Sequence, residues 1–296
     1  MSKQINELLK GLLFSSGEDY KLFFKTSRAE CLSDLITTIL LNFIKMSSKQ
    51  GHFVISQDVD DSVKLHCDSM MKAKLCSVST IPLDENSLVD IKVLSSRIRR
   101  NTLLIIMPLV AASGAINNIE IVSLLAKKNN IPLCCGIDNL FPFVELSLEK
   151  MGIDIFTFSS NLKSNLIYPQ FDLPSAQPVC TMGIAESVMT GYKIDNIGPK
   201  SEFHKQTLIG SLKSVIVFSS ANIRAYEELK QQIVKYFSPI VAQVHTIHGI
   251  IIFNKSIKVN GQFKLFSAMD KFILSFPLNL EEGEMHALFK INRHLV

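Results

Sequence analysis

The stretch TLLIIMPLV, Thr102–Val110, is a continuous apolar run with β-branched isoleucines and a valine. A strand of that length with no polar alternation is buried on both faces, which places it in the middle of a parallel sheet covered by helices. Outward from it the same logic repeats. GHFVIS (51–56), KLCSVSTIPL (74–83), IPLCCGI (131–137) and IDIFTFS (153–159) read as strands. Between them, helical periodicity predicts Ser27–Met46, Asp58–Met71 (apolar at 59, 63, 67 and 70 or 71), about 88–98, Asn117–Asn129 and a short helix in FPFVELSLEKMG. The alternation predicts an α/β fold, a mostly parallel sheet with helices on both faces. Ligands in such folds gather at the carboxyl ends of the strands, here near Ala111, Asp138 and Ser159–Lys163.

After about residue 200 the texture changes. SVIVFSS, HTIHGIIIFNKSIKVNG and DKFILSFPL read as strands or strand and turn, NIRAYEELKQQIVKYF as an amphipathic helix, and EEGEMHALFKIN as the start of another. The expected division is a large domain over 1–200 and a small C-terminal α/β domain over 201–296, with Gly191–Ser201 linking them.

The chain has 296 residues, 47% of them hydrophobic, and a net charge of +4 spread as both signs along its length. No basic stripe interleaved with aromatics points to nucleic acid, and no charge bias points to a membrane surface. The most apolar helical stretch, CLSDLITTILLNFIKM (31–46), contains Asp34 and Asn42 and is short for a membrane span. The N-terminus has no signal-peptide pattern, and the expected location is intracellular. Six cysteines, at 31, 67, 76, 134, 135 and 180, form no CxxC pair, so buried thiols are expected and no metal site. His245 and His248 fall on opposite faces of a strand, which does not make a metal pair. Arg97, Arg99 and Arg100 read as a solvated helix end.

Several segments, in order, resemble the cysteine desulfurases, or NifS-like proteins, of the class V pyridoxal-phosphate (PLP) aminotransferase family. They are IPLDENSLVDIKVLSSRIRRNTLLIIM (81–107), SGAINNIEIVSLLAKKNNIPL (113–133), LEKMGIDIFTFSSNLKS (148–164), VNG (259–261) and FILSFPLNLEEGEMHALF (272–289). The resemblance implies a PLP-transferase-like fold (fold type I) and a homodimer with active sites at the subunit interface. It also implies a Schiff-base lysine, a carboxylate on the pyridine nitrogen, a ring stacked on the cofactor and hydroxyls on its phosphate.

Residue by residue, most of those parts are replaced. The stacking histidine falls on Asp61, an asparagine near the ring falls on Val110 or Ala111, and the aspartate falls on Gly136, with Asp138 two residues later. The lysine of the family's SGHK falls on Leu162, one position before Lys163, while the serine survives as Ser159. The family's TSGATE corresponds to KTSRAE, leaving Thr26 and Ser27 as remnants of a phosphate site without its glycine. The family's opening YLDNxATT segment has no counterpart here, and its cysteine loop and substrate-binding arginine would follow Val296. Trimmed ends and replaced positions are the style of a compact, fast-diverging genome such as that of a large DNA virus.

The expectation is a NifS-like pseudoenzyme acting as a binding or regulatory protein, with no cofactor and no metal. The open alternatives are an active PLP enzyme using a register-shifted Lys163 with Asp138, Ser159, Thr26 and Ser27, and an unrelated α/β enzyme, which a different sheet order would reveal.

Overall fold

In a computed structural model of the chain, the described residues are 20–47, 49–86, 88–111, 117–137, 147–159 and 180–194, with strands at 241–243, 250–253, 264–268 and 271–275. The first group of strands is β1 (Tyr20–Lys25), β2 (Gly51–Ser56), β3 (Cys76–Ile81), β4 (Thr102–Pro108), β5 (Leu133–Gly136), β6 (Ile155–Ser159) and β7 (Cys180–Ala185). They form one seven-stranded sheet in the order β1-β7-β6-β5-β4-β2-β3. The five strands from β3 to β6 run parallel, and β7 is antiparallel to both its neighbours, β6 and β1. The helices are α1 (Arg28–Ser47), α2 (Asp61–Lys72), α3 (Ile91–Arg97), α4 (Ile119–Lys128), α5 (Leu148–Met151) and α6 (Glu186–Gly191).

The strand order reverses between β2 and β4. The chain steps outward from β2 to β3, then returns past β2 to β4 and continues to β5 and β6. Right-handed crossovers in opposite directions put helices on opposite faces. Accordingly α1 packs with α2, while α3 packs with α4 and α4 with α5. The apolar run that decides the fold is central as read: every β4 residue but Pro108 is buried, as is all of β2.

α1 shows how the sequence positions this layer. Its buried residues, Cys31, Leu32, Leu35, Ile36, Ile39 and Leu40, recur at helical spacing and form one stripe over the sheet. The two polar residues of the same stretch have partners. Asp34 receives the Lys25 ammonium at 2.5 Å, and the Asn42 amide donates to the Tyr192 carbonyl at 2.9 Å. The predicted stripe is also buried, with Val59 just before α2 and Val63, Cys67 and Met70 on it. All six cysteines are buried free thiols, and burial pushes the Cys67 thiol up to about 12.

β1 and β7 are the elements the sequence reading passes over. β7, CTMGIA, is buried along its whole length. A Cβ at Gly183 would stand 2.1 Å from the Phe156 ring, so this glycine exists for close approach of β7 to an aromatic on β6. The Phe156 ring also lies 5.5 Å from Tyr20 and 6.1 Å from Phe158, so β1, β6 and β7 share one aromatic layer.

Beyond residue 200, β8 (Val241–Gln243), β9 (Ile250–Phe253), β10 (Lys264–Ala268) and β11 (Lys271–Ser275) form a second, antiparallel sheet in the order β10-β11-β9-β8. The strands expected in GIIIFN and DKFILS are β9 and β11; β8 and β10 were not anticipated. The predicted SVIVFSS strand and the helices at NIRAYEELKQQIVKYF and EEGEMHALFKIN lie outside the described residues. Among the described residues, no helix is long and apolar enough to cross a membrane.

One polar group lies in the core at the amino end of β2. The His52 ring is fully buried, with Nδ1 2.8 Å from Thr102 Oγ1 and Nε2 3.0 Å from Ser79 Oγ. Thr102 Oγ1 already accepts the Arg99 N–H at 2.8 Å, so its own proton is available to His52. Burial, with Arg99 nearby, lowers the His52 pKa from 6.5 to about 4. The folded state therefore binds this proton less readily than the unfolded chain, and stability is lost as pH falls from 6.5 toward 4. That interval is worth on the order of 3 kcal/mol. Urea midpoints measured across it should show this slope in the wild type and lose its histidine part in His52→Phe, even if that variant is less stable throughout. In the same assay Gly183→Ala should lose about 1–3 kcal/mol through overpacking against Phe156. Gly191→Ala, where a Cβ meets nothing within 4 Å, should unfold like the wild type.

Candidate functional site

The carboxyl ends of β1, β2, β4, β5 and β6 lie along one edge of the large sheet, together with the start of antiparallel β7. The helices α1, α2, α3 and α4 begin just beyond this edge, after β1, β2, β3 and β4. Their exposed N–H groups make it the natural place for an anion.

Three of these four helix starts are capped by a side-chain acceptor of their own, and α2 is not. At α1, Ser27 Oγ accepts the Glu30 N–H at 3.1 Å, and Glu30 Oε2 reaches back to accept from the Thr26 N–H at 3.2 Å and the Thr26 hydroxyl at 2.6 Å. This is a capping box displaced by one residue. The Thr26 hydroxyl, more than any other group, holds the Glu30 carboxyl below its usual range, with Lys25 assisting. At α2 the residue before the helix is Asp60 and the first helical residue is Asp61. At α3, Asp90 Oδ1 accepts from the Lys92 and Val93 N–H groups, and at α4 Asn118 accepts from Ile121.

Charged side chains link these starts. The Arg28 guanidinium on α1 lies 3.4 Å from Asp60 Oδ2 at the head of α2. Lys25, at the end of β1, is 5% exposed, with Nζ 2.5 Å from Asp34 and 3.7 Å from Glu30. Burial would lower the Lys25 pKa, but the hydrogen bond and charge of Asp34, with Glu30, outweigh it and leave it raised. Ser56, ending β2, donates a short hydrogen bond to Asp58.

The end of β4 is closed by an asparagine. Leu109, Val110 and Ala111 are buried. Asn117 donates its side-chain N–H to the Pro108 carbonyl at 2.9 Å, accepts the Val89 N–H at 2.8 Å, and gives its backbone N–H to Leu109. A separate open groove of 680 Å³, among Tyr20, Lys21, Glu186 and Lys193, lies at the amino end of β1, away from this edge.

The sequence-predicted residues fall as follows. Thr26 and Ser27 sit at the carboxyl edge, with their hydroxyls engaged by Glu30 as above. Ser159 ends β6 opposite Cys180 on β7, which places its backbone at the same edge. Asp138 and Lys163 lie outside the described residues. Asp61, at the position of the stacking histidine, is exposed and bound to Lys64 at 2.8 Å. Gly136, at the position of the aspartate, ends β5 between Pro108 and Thr157. Sequence reasoning missed Lys25, Arg28, Asp60 and Asn117. It also missed the Ser27-x-x-Glu30 spacing, which is a readable capping signal. Arg28 and Asp60 are 32 residues apart, and no local pattern announces their pairing.

Residues 29–162 match the family model of the class-V aminotransferases. No curated protein sequence matches the chain. Among solved structures, the fold is similar to that of a NifS-like protein at TM-score 0.73 and 14% identity, covering 99% of this chain and 87% of that one. It is similar to SspA, solved in complex with cysteine, at TM-score 0.57 and 16% identity over 71% of this chain; the present chain spans only 59% of SspA. A sphingosine-1-phosphate lyase from Burkholderia pseudomallei matches at TM-score 0.71 and 10% identity, over 99% of this chain and 73% of the lyase. These structural matches set aside the open alternative of an unrelated α/β fold: the chain has the PLP-transferase-like fold of the NifS-like protein, and its residues 29–162 resemble the class-V aminotransferases.

Proposed function

We propose that this chain is a NifS-like fold serving as a binding or regulatory protein, with no PLP chemistry of its own. PLP, where it is bound, supplies an electron sink for carbanion chemistry. To hold it, a protein needs donors for a phosphate dianion, and the described residues do not fit that group.

The observation that carries this reading is the start of α1. Set against the family's TSGATE without gaps, KTSRAE puts Ser27 on the glycine, Ala29 on the second threonine and Glu30 on the glutamate. The methyl group of Ala29 has nothing to donate. The two hydroxyls that remain, on Thr26 and Ser27, are bonded to Glu30 and complete the helix cap. A phosphate at this helix start would have to displace the bonds that Thr26 and Ser27 make with Glu30.

The replaced positions around the strand ends support the same reading. A buried Val110 and Ala111 offer no hydrogen bond to a pyridine ring, and an exposed Asp61 paired with Lys64 offers no stacking surface. The division into domains at 1–200 and 201–296 belongs to this proposal and is supported by two separate sheets on either side of residue 200. The homodimer belongs to it by family likeness.

The test is spectroscopic. Purified protein mixed with PLP should show no internal-aldimine band, should not respond to cysteine, and should carry no pyridoxyl tag on Lys163 after borohydride reduction. A yellow protein that cysteine bleaches, with the reduced tag on Lys163, establishes the active alternative instead.

A further inference from the structure

We infer that the Arg28–Asp60 ion pair stands where a phosphate contact would be, so that the carboxyl edge excludes the phosphate of PLP with charges of its own. This rests on the reading above and goes further by naming the pair that fills the position.

Arg28 is the first residue of α1, and Asp60 immediately precedes α2. Their contact at 3.4 Å ties together two helix starts, after β1 and after β2, and the second lies beside the point where the strand order reverses. In sheets of this kind a ligand's phosphate is held at such helix starts near the reversal. An arginine at the head of a helix is a good phosphate donor, through its fork of N–H groups. Here that guanidinium already faces a carboxylate of the chain itself.

The charges around it work in the same direction. Among the described residues of this edge, Lys25, Arg28 and Lys64 pair with Glu30, Asp34, Asp60 and Asp61, and Asp58, bonded to Ser56, adds a further carboxylate. Lys25 is committed to Asp34 and Glu30, and Asp61 to Lys64. A dianion entering the edge would therefore meet more carboxylates than cations. The side chains of Arg28 and Asp60 are 25% and 45% exposed, and an ion pair of that exposure adds little to stability. Its removal should open the position without unfolding the chain. Asp60 makes no side-chain capping bond, and asparagine is as good an N-cap, so Asp60→Asn keeps the start of α2 intact.

The experiment follows thermal unfolding in inorganic phosphate against sodium chloride at equal ionic strength. Wild type should show no phosphate-specific rise in Tm. Asp60→Asn should show a saturable rise of a few degrees at millimolar phosphate, and Arg28→Gln added to it should abolish that rise. Asp60→Ser, another good N-cap, repeats the test with a different side chain. A saturable rise in the wild type, or none in either Asp60 variant, overturns the inference. If the wild type takes up phosphate yet gives no borohydride-trapped adduct, this inference falls and the proposed function stands. A trapped adduct on Lys163 removes both.

Discussion

A helix that begins at the carboxyl edge of a parallel sheet presents unpaired N–H groups and a partial positive charge. Something must meet them, and in this chain α1 is met from within. Glu30 folds back onto Thr26 while Ser27 caps Glu30, and the Lys25 ammonium at the end of β1 is held between Glu30 and Asp34. These contacts join the last residue of an edge strand to the first turn of the helix that covers the sheet. The buried stripe of α1, from Cys31 to Leu40, is placed over the sheet by that junction. The same groups occupy the location where a fold of this kind offers its ligand site, so the stability of the helix start and the chemistry of the edge are not independent.

Much of the seven-stranded sheet was legible because strands buried on both faces are conspicuous. β2 was read at its observed limits, and Thr102–Pro108, Leu133–Gly136 and Ile155–Ser159 fall inside the predicted runs. β1 and β7 were not legible for a different reason. Their pairing is antiparallel and joins Tyr20–Lys25 to Cys180–Ala185, so each strand is recognisable only through a partner far away in the chain. Gly183 adds to this, since a glycine within a short apolar segment reads as a breaker until the Phe156 ring above it is seen. Helix limits moved inward where caps decide them: Asp90 and Asn118 bind the first turns of α3 and α4, and both helices start one residue later.

At the site, the residue types were visible and their partners were not. Thr26 and Ser27 were singled out as hydroxyls suited to phosphate, which is a statement about chemistry; whether those hydroxyls face a ligand or a neighbouring side chain is a statement about geometry. The Ser27-x-x-Glu30 spacing carried the second statement locally. The contact of Arg28 with Asp60 and that of Lys25 with Asp34 depend on the packing of α1 against β1 and α2. A family fold places many chemistries on one scaffold, and the fold of this chain does not by itself carry the family's reaction.

The most direct test is an NMR titration of the Glu30 side-chain carboxyl, with and without added phosphate. The account predicts a titration midpoint below that of an ordinary glutamate, because the Thr26 hydroxyl and amide stabilise the carboxylate, and a midpoint that phosphate does not move. An ordinary midpoint, or one that shifts as phosphate displaces the carboxylate from Thr26, would contradict it.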